Sequence, residues 1–525
     1  MYVVALIAVI CALWLLYRKK WFSFFKDLNI PGPEPNLLFG NIVEIIRRNP
    51  IQSHAGWLKK YGKVVGYFYG TKPVILIADA DLLKKIQVSD FNSFINRPDM
   101  FSSRSRSTKR VEGFSQHIIS LRDKRWKDVR SLLTPSFTAS KMRQMSPLMN
   151  DAIQSLMINI DKKCKADEHF DIYKLYQGLT MDVVGRTAFG IQTDVQNNPK
   201  DPFLRAAKAL FSGDIRNPLI ILAVSFRSLS SLWIRLGRLR LIFVNQGTNP
   251  ITELIGNVKE VIATRRKNQQ KARPDLLQLM LDAEGTDGDS VTADDLTASD
   301  EKEVEVKGNK GKISKKLSDA DVLDNSVLFF LAAYETTSTA LAFTTHLLIK
   351  HPDVQEKVRK EVLQLLKSEG ELDYNSVNML QYLDQVLKES LRLYPPVHLF
   401  VNREVSENCE INGIQFKKGA AIQVAVYHLH RDPDYWENPT EFRPERFSPE
   451  NKDKINPIAY QPFGAGPRNC IGMRFALMEA KLALAQILSK YSLKRCSKTE
   501  DNVTLKMGQF QINPKYGIWT KAVSF

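Results

Sequence analysis

One segment near the C-terminus combines residue types that could hold a flat, metal-containing group. Residues 463–472 read FGAGPRNCIG, with Arg468 two residues before Cys470. A helical pattern begins directly afterwards, at Met473, so a helix N-terminus and the Arg468 cation would both favour the Cys470 thiolate. Glycines let a bulky planar group lie close to the backbone. These features are the requirements of an axial thiolate ligand on a haem iron.

The segment resembles the haem-binding loop of the cytochrome P450 family, F-x-x-G-x-R-x-C-x-G, at every fixed position. The resemblance implies that Cys470 is the proximal ligand of haem b and that Arg468 pairs with a haem propionate. It also implies that Phe463 shields the sulfur. Such a thiolate donates electron density to iron and favours O–O cleavage. The alternative for the same residues is a reactive or structural cysteine in a turn.

Two further motifs place charged residues where the same family has them. Glu389 and Arg392, within KESLR, share one helix face and can form a charge-assisted pair. The resemblance implies that this pair is buried and that Arg446, within RPERF, joins it in a structural role.

Three residues are implied by the resemblance to contact the haem propionates. Trp126 and Arg130 match the pattern W-x-x-x-R, in which residues four apart lie on one helix face. Arg403, which follows two prolines at 395 and 396, is implied as the third propionate-binding arginine.

A long helix is predicted from Asp319 to Lys350, with Ser318 and Asp321 forming its capping box. Its middle, AAYETT at 332–337, resembles the oxygen-activation motif of the family, which implies catalytic roles for Glu335 and Thr336. An acid beside an alcohol can relay protons through water. The alternative for Thr336 is a helical threonine bonded to a backbone carbonyl. Ala333 replaces the usual glycine, and its methyl group either narrows this space or shifts the helix locally.

The resemblance covers nearly the whole chain and implies a mainly α-helical cytochrome P450 fold with a smaller β-rich part. The haem would lie between the long central helix and the helix that follows Cys470. Apolar periodicity predicts helices through most of residues 120–275. Strands are predicted at 64–69, 74–78, 410–416 and 421–426.

The N-terminus predicts an uncleaved membrane anchor over residues 1–20. Residues 1–17 carry no charged side chain, and Arg18, Lys19 and Lys20 follow at once. This order places the rest of the chain on the cytosolic side, with Arg18 and Lys19 extending to the interface. A cleaved signal and a buried core helix are the alternatives. Residues 21–40, which include PGPEP, predict a stiff hinge before a catalytic domain at 41–525.

Composition limits the function classes further. The 525 residues are 44% hydrophobic, with a net charge of +17, which excludes a wholly disordered chain. A mean hydropathy of -0.24 excludes a polytopic membrane protein. The five cysteines form no CxxC pair, so zinc is not indicated. No basic stripe or known nucleic-acid module appears, so nucleic acid is not an expected partner.

Several segments predict surfaces rather than chemistry. The apolar and basic residues 217–244 would be either buried or an amphipathic surface that dips into the membrane. The polar residues 284–316 predict a mobile surface loop. By resemblance, the substrate pocket is walled by five segments: 99–116, 203–244, 329–333, 397–401 and 507–510.

Local segments such as YETTSTA resemble those of one microsomal clan of the family. This clan holds vertebrate family 3, insect families 6 and 9 and thromboxane synthase. The resemblance implies a single-pass monooxygenase of the endoplasmic reticulum that inserts one atom of O₂ into lipophilic substrates. Electrons would come from NADPH through cytochrome P450 reductase, with cytochrome b5 as a further partner.

The basic stretch 122–130, with Lys124, Arg125 and Lys127, could form part of the face that docks a reductase. Two other functions remain open: a haem-thiolate isomerase resembling thromboxane synthase, which needs no reductase, and a membrane-tethered carrier or sensor. The intact Glu335–Thr336 pair favours monooxygenation.

Overall fold

The computed structural model describes residues 1–99, 115–198, 200–211, 213–244, 249–267, 275–284, 316–399, 401–508 and 511–525. The predicted mobile loop at 284–316 lies outside these ranges except at its two ends. Most of the predicted pocket wall at 99–116 lies outside them too, and so does half of the wall at 507–510.

Helices make up most of the described chain, as the sequence predicts. Their bounds are α1 Tyr2–Trp21, α2 Ile42–Arg48, α3 Pro50–Tyr61, α4 Ala80–Lys84, α5 Asp123–Leu133, α6 Ala139–Lys165, α7 Ile172–Phe189, α8 Pro202–Phe211, α9 Pro218–Ser225, α10 Ser230–Val244, α11 Pro250–Lys267, α12 Leu276–Asp282, α13 Asp319–Lys350, α14 Pro352–Glu369, α15 Tyr374–Asn378, α16 Gln381–Leu393, α17 Val426–Leu429 and α18 Met473–Lys490.

The strands form a four-stranded sheet and three smaller ones. Their bounds are β1 Val64–Tyr69, β2 Lys72–Ile77, β3 Phe170–Asp171, β4 Asn402–Glu404, β5 Cys409–Ile411, β6 Ile414–Phe416, β7 Ala421–Val424, β8 Tyr491–Lys494, β9 Leu505–Met507, β10 Ile512–Pro514 and β11 Trp519–Ser524. The larger sheet has the order β1-β2-β7-β4, with β2 and β7 parallel and Val74 opposite Ala421. The predicted strand at 410–416 is divided into β5 and β6, because Asn412 and Gly413 adopt positive φ angles of 52° and 77° and form a turn.

The long helix α13 crosses the core and confirms its predicted bounds. The Ser318 side chain accepts a hydrogen bond from the Asp321 amide and the Asp321 carboxylate accepts one from the Ser318 amide, so the predicted capping box is present. The helix ends before His351, which precedes Pro352, because a proline disfavours helical geometry in the residue before it. Nearly every α13 side chain is buried, yet Ala332, in its middle, is exposed. An exposed residue within a buried helix indicates an open space inside the fold.

The N-terminal helix α1 differs from α13 in its surroundings. An 18-residue window of α1 has a mean hydropathy of 1.8, and 6% of it is buried inside the protein. The corresponding window of α13 has a mean hydropathy of 1.3, and 83% of it is buried. Both are apolar and long enough to cross a membrane, but only α1 is exposed. One prediction is wrong: the structure buries Arg18 against backbone carbonyls instead of extending it to the membrane interface.

Candidate haem-binding site

The loop before α18 holds Cys470 in a compact turn. The Cys470 amide donates to the Phe463 carbonyl at 2.9 Å, and the Asn469 amide donates to the Gly466 carbonyl at 2.9 Å. Gly464 and Gly466 have φ angles of 76° and 69°, which favour glycine. A Cβ atom on Gly466 would lie 2.0 Å from the Gln87 carbonyl oxygen, so no larger residue fits there.

Cys470 is accessible although protein atoms surround it. It is exposed, yet desolvation raises the pKa of its thiol, with opposing effects from the Gly472 amide, Arg130 and Arg97. Both observations hold if the thiol faces an enclosed space. The helix N-terminus and nearby cations favour the thiolate, as the sequence predicts, through the Gly472 amide, Arg130 and Arg97, but burial outweighs them. A bound metal ion deprotonates a coordinating thiol and would reverse this balance.

The open face of α13 borders the same part of the fold. Ala333 of this helix and Ile471, the residue after the cysteine, pack against one cluster of buried apolar side chains. Phe137 belongs to this region as well, and its ring centroid lies 5.9 Å from that of Phe329. The Thr336 hydroxyl donates to the Ala332 carbonyl at 2.7 Å, as expected for a threonine within a helix. Such a bond leaves its oxygen able to accept another.

Arg468 lies near Trp126 and points away from solvent. Its Nε donates to the Ile95 carbonyl at 2.9 Å and its Nη2 to the Leu121 carbonyl at 2.8 Å. The guanidinium carbon lies 4.1 Å from the centroid of the Trp126 ring. Burial, with the positive charges of Arg97, Arg403, Arg122 and Arg130, lowers the pKa of Arg468 to about 8.

Arg130 and Arg403 bind the same loop from other directions. Arg130 donates to the carbonyl and side-chain oxygens of Asn469 at 3.0 and 2.9 Å. Arg403 donates to the Ala465 carbonyl at 3.1 Å, and its buried Nε has no hydrogen-bond partner among the described residues. Burial lowers the pKa of Arg130 to about 10 and that of Arg403 well below its usual value.

These arginines fit a ligand with two negative charges. Within the described ranges, Arg130, Arg403 and Arg468 form no ion pair with a carboxylate, although buried charges are normally paired. Haem b carries two propionates, and a guanidinium group binds a carboxylate well. No group of three or more potential His, Cys, Asp or Glu ligands occurs in the described chain.

Glu335 is buried, whereas Ala332, one turn earlier in α13, is exposed. Its carboxylate accepts hydrogen bonds from the Tyr173 hydroxyl and the Asn513 amide, and from the Gln177 amide at 3.1 Å. Burial raises the pKa of Glu335, while the hydrogen bonds from Tyr173 and Gln177 and the charges of Lys506 and Lys208 oppose the change. Its carboxylate borders a cavity of about 360 Å³ that is rimmed by lysines and faces solvent; the lining includes Lys174, Lys208, Lys506 and Lys515.

The predicted Glu389–Arg392–Arg446 group is confirmed. Arg392 donates to both Glu389 oxygens, at 2.7 and 2.8 Å, and Arg446 Nε donates to one of them at 3.2 Å. Glu389 and Arg392 are fully buried, and the Arg443 amide provides a fourth hydrogen bond to the carboxylate at 3.0 Å. Three of these hydrogen bonds end on Oε1 and one on Oε2, so both oxygens of the buried carboxylate have partners, as a structural role requires.

Sequence reasoning missed the residues that complete the site. Arg97 donates to the Arg468 carbonyl at 3.4 Å across 371 positions of sequence, a separation that no local pattern could reveal. Tyr173, Gln177 and Asn513, which hold Glu335, were also not predicted. The sole local signal is Pro98 after Arg97, which restricts that arginine to extended geometry but says nothing of its neighbours.

The family model for cytochrome P450 matches residues 30–520. The chain belongs to the cytochrome P450 family. This P450 is 37% identical to cytochrome P450 3A5 of Homo sapiens over 497 residues, which are 94% of this chain and 91% of the relative. It is 35% identical over 523 residues to cytochrome P450 3A6 of Oryctolagus cuniculus, covering 99% and 96% of the two chains.

A third relative is named for its reaction. Lithocholate 6-beta-hydroxylase of Mesocricetus auratus is 34% identical over 529 residues, covering 99% of this chain and 96% of the relative. Together, the family match and these similarities identify a haem-thiolate monooxygenase that holds haem b, with the P450 fold that the sequence predicts. The roles assigned to individual site residues stay predictions.

Proposed function

We propose that this P450 oxidises lipophilic substrates at the cytosolic face of the endoplasmic reticulum, with electrons supplied by NADPH–cytochrome P450 reductase. The observation that carries the proposal is the exposed Cys470 thiol, with the cations of Arg130 and Arg97 close to it. Haem b, when bound, supplies the iron that activates O₂. The similarity to a relative named as a lithocholate hydroxylase supports a lipophilic substrate, and the exposed apolar helix α1 supports a membrane location.

The chain's own residues would hold the cofactor from two sides. Cys470 would ligate the iron from the loop before α18. Arg468, Arg130 and Arg403 would bind the propionates, because their positive charges are buried and have no carboxylate in the described chain. Trp126 would hold the Arg468 guanidinium flat by ring contact. Phe463 would exclude water from the sulfur.

Protons would enter along α13 through Glu335 and Thr336. The raised pKa of Glu335 lets its carboxyl group carry a proton closer to neutral pH than a solvated glutamate can. The cavity at Lys208 and Lys506 would connect this carboxyl with solvent. The Thr336 hydroxyl, held by the Ala332 carbonyl, would orient water on the open face of the helix. Tyr173 and Asn513 bond to Oε1 of Glu335, so Oε2, which accepts from Gln177, can still accept a hydrogen bond from water.

The proposal is tested first by a carbon-monoxide difference spectrum of the reduced protein. We expect the thiolate-type Soret band in the wild type and its loss in Cys470→Ala. With reductase present, NADPH consumption should rise when a lipophilic substrate is added. Product formation without reductase would instead indicate an isomerase, and a Soret band unchanged in Cys470→Ala would exclude Cys470 as the ligand.

The relay is tested separately with Thr336→Ala. Removal of the hydroxyl should uncouple NADPH use from product formation and release hydrogen peroxide. We expect the coupling ratio to fall by about 100-fold, the lower end of a general acid–base contribution. Thr336→Ser keeps the hydroxyl and should retain coupling. Equal coupling in all three proteins would contradict the role of Thr336.

The docking face for the reductase is narrower than its sequence suggests. Lys124 and Lys127 are exposed on α5, but Arg125 is paired with Asp321. We therefore expect Lys124→Glu with Lys127→Glu to raise the apparent KM for reductase at low salt, where charge steering is strongest. Lys367→Glu on α14 is the control. No change at low ionic strength would remove this face from the proposal.

A further inference from the structure

The last turn of α1 contains an arginine that the catalytic domain surrounds. Arg18 is 5% exposed, although the residues before it in α1 are exposed. Its Nε donates to the Leu37 carbonyl at 2.9 Å and its Nη1 to the Ser225 carbonyl at 3.2 Å, while Nη2 donates to the Leu38 carbonyl. One side chain therefore joins α1, the last residues of the proline-rich hinge and the end of α9.

Aromatic rings enclose the same guanidinium group. Its central carbon lies 5.2 Å from the Trp14 ring centroid, 5.1 Å from that of Phe22 and 5.8 Å from that of Phe226. The rings of Trp14 and Phe226 are also stacked, at 6.4 Å and 13°. Contacts with ring faces favour a weakly hydrated, planar cation. Arginine meets these requirements and lysine does not.

Further contacts attach α9 and the end of α1 to the turn between β1 and β2. The Thr71 amide, in the turn between β1 and β2, donates to the Val224 carbonyl at 3.1 Å. A Cβ atom on Gly70 would lie 2.3 Å from the same carbonyl oxygen, so the turn and α9 are in close contact. The Trp21 indole donates to the Thr71 carbonyl at 2.9 Å. The end of α1 is thus attached to a rigid part of the catalytic domain.

Charge alone does not explain this placement. Lys19 and Lys20 are both exposed and already supply the positive charge that follows a membrane span. Arg18 gives up its hydration instead and forms no ion pair in the described part of the chain. Removing a cation from water is costly. Three carbonyls and three aromatic rings take the place of the water around Arg18, which indicates a specific structural role.

We propose that Arg18 is a latch that fixes the angle between the anchor helix α1 and the catalytic domain. The proposal rests on the membrane location proposed above. With the latch closed, α1 continues into an apolar surface that would lie against lipid; its exposed members include Leu37, Leu38, Leu229, Leu232, Leu239 and Phe243. The domain would then be held at one tilt on the bilayer, with α9 and α10 beside the lipid phase.

The test uses the full-length, haem-loaded protein in phosphatidylcholine nanodiscs. Linear dichroism on oriented membranes measures the haem tilt, and hydrogen exchange measures protection at residues 36–40 and 218–226. In Arg18→Gln we expect a broader tilt distribution and exchange faster by about tenfold or more in both segments, because hydrogen bonds to a charged group are lost. Arg18→Lys should resemble Arg18→Gln, since one ammonium cannot span three carbonyls.

Lys19→Gln is the matched control, because it removes an adjacent positive charge that is exposed, and it should behave as the wild type. Unchanged Soret absorption and thermal midpoint in Arg18→Gln would show that the variant folds. Equal exchange in Arg18→Gln and Lys19→Gln would overturn the latch, whether or not the protein is membrane-bound. Release of wild-type protein by alkaline carbonate would overturn the membrane location, and the exchange result would still decide the role of Arg18.

Discussion

The arginines around Glu389 and those around Cys470 are buried to a similar degree but differ in what neutralises them. Arg392 and Arg446 are 0% and 6% exposed and share the Glu389 carboxylate. Arg403 and Arg468 are 1% and 4% exposed, donate hydrogen bonds to backbone carbonyls, and form no ion pair with a carboxylate among the described residues. A buried cation without an anion is unfavourable unless something else supplies the negative charge.

The difference separates two uses of the same side chain. Where the chain provides its own carboxylate, the arginines are complete in the folded protein and their role is structural. Where it provides none, backbone carbonyls hold the guanidinium groups in place, and we propose that an anionic ligand neutralises their charge. We therefore expect mutations around Glu389 to change the free energy of unfolding, and mutations of Arg403 and Arg468 to change the binding of the cofactor.

The largest effect is expected for Glu389→Gln. The change leaves two buried guanidinium groups without a carboxylate, which should lower the free energy of unfolding by about 3–5 kcal/mol. That is a large part of the stability of an ordinary domain, so the soluble yield should fall sharply. Urea unfolding measures the effect. Glu445→Gln is the control, because the Glu445–Lys357 pair is half exposed and should contribute about 1 kcal/mol or less.

Arg403→Leu should affect cofactor binding more than the stability of the protein. Removal of a buried cation that has an unpaired Nε should leave the unfolding free energy of the haem-free protein unchanged or higher. The haem-loaded protein should lose its cofactor about 10- to 100-fold faster, because a charge-assisted hydrogen bond to a propionate is lost. Transfer of haem to apomyoglobin measures the rate. A fall in apoprotein stability with unchanged haem loss would show that Arg403 belongs with the structural arginines.

The smallest effect concerns Glu479, a buried carboxyl group without a cation. Both of its oxygens lack hydrogen-bond partners in the described chain, and burial raises its pKa well above the usual value. A raised folded-state pKa means that stability is fully present below the unfolded pKa and declines as pH rises toward the folded pKa. Glu479→Gln should therefore unfold with a free energy about 1 kcal/mol higher than the wild type at pH 8.

This advantage of Glu479→Gln should disappear near pH 3, more than one unit below the unfolded pKa of about 4.3, where glutamate is protonated in both states. Urea unfolding at the two pH values measures it. A difference that is the same at both would indicate packing instead of ionisation.

Local patterns were enough to predict elements whose signals lie within a few residues. The capping box at Ser318 and Asp321, the helix after Cys470 and the pair Glu389–Arg392 are all confirmed, because their partners are three to four residues apart or adjacent to a turn. The division of β5 from β6 was missed, although Asn412-Gly413 is a strong turn signal. The family resemblance predicted the fold class and the cofactor correctly.

The sequence by itself determined where the thiol, the long central helix and the apolar N-terminal helix lie along the chain. Only the tertiary structure decided that Arg97 joins Arg468, that Tyr173 and Asn513 hold Glu335, and that Arg18 is buried. The physical reason is range: helix periodicity and caps depend on neighbours, whereas desolvation and charge pairing depend on atoms brought together from hundreds of residues away.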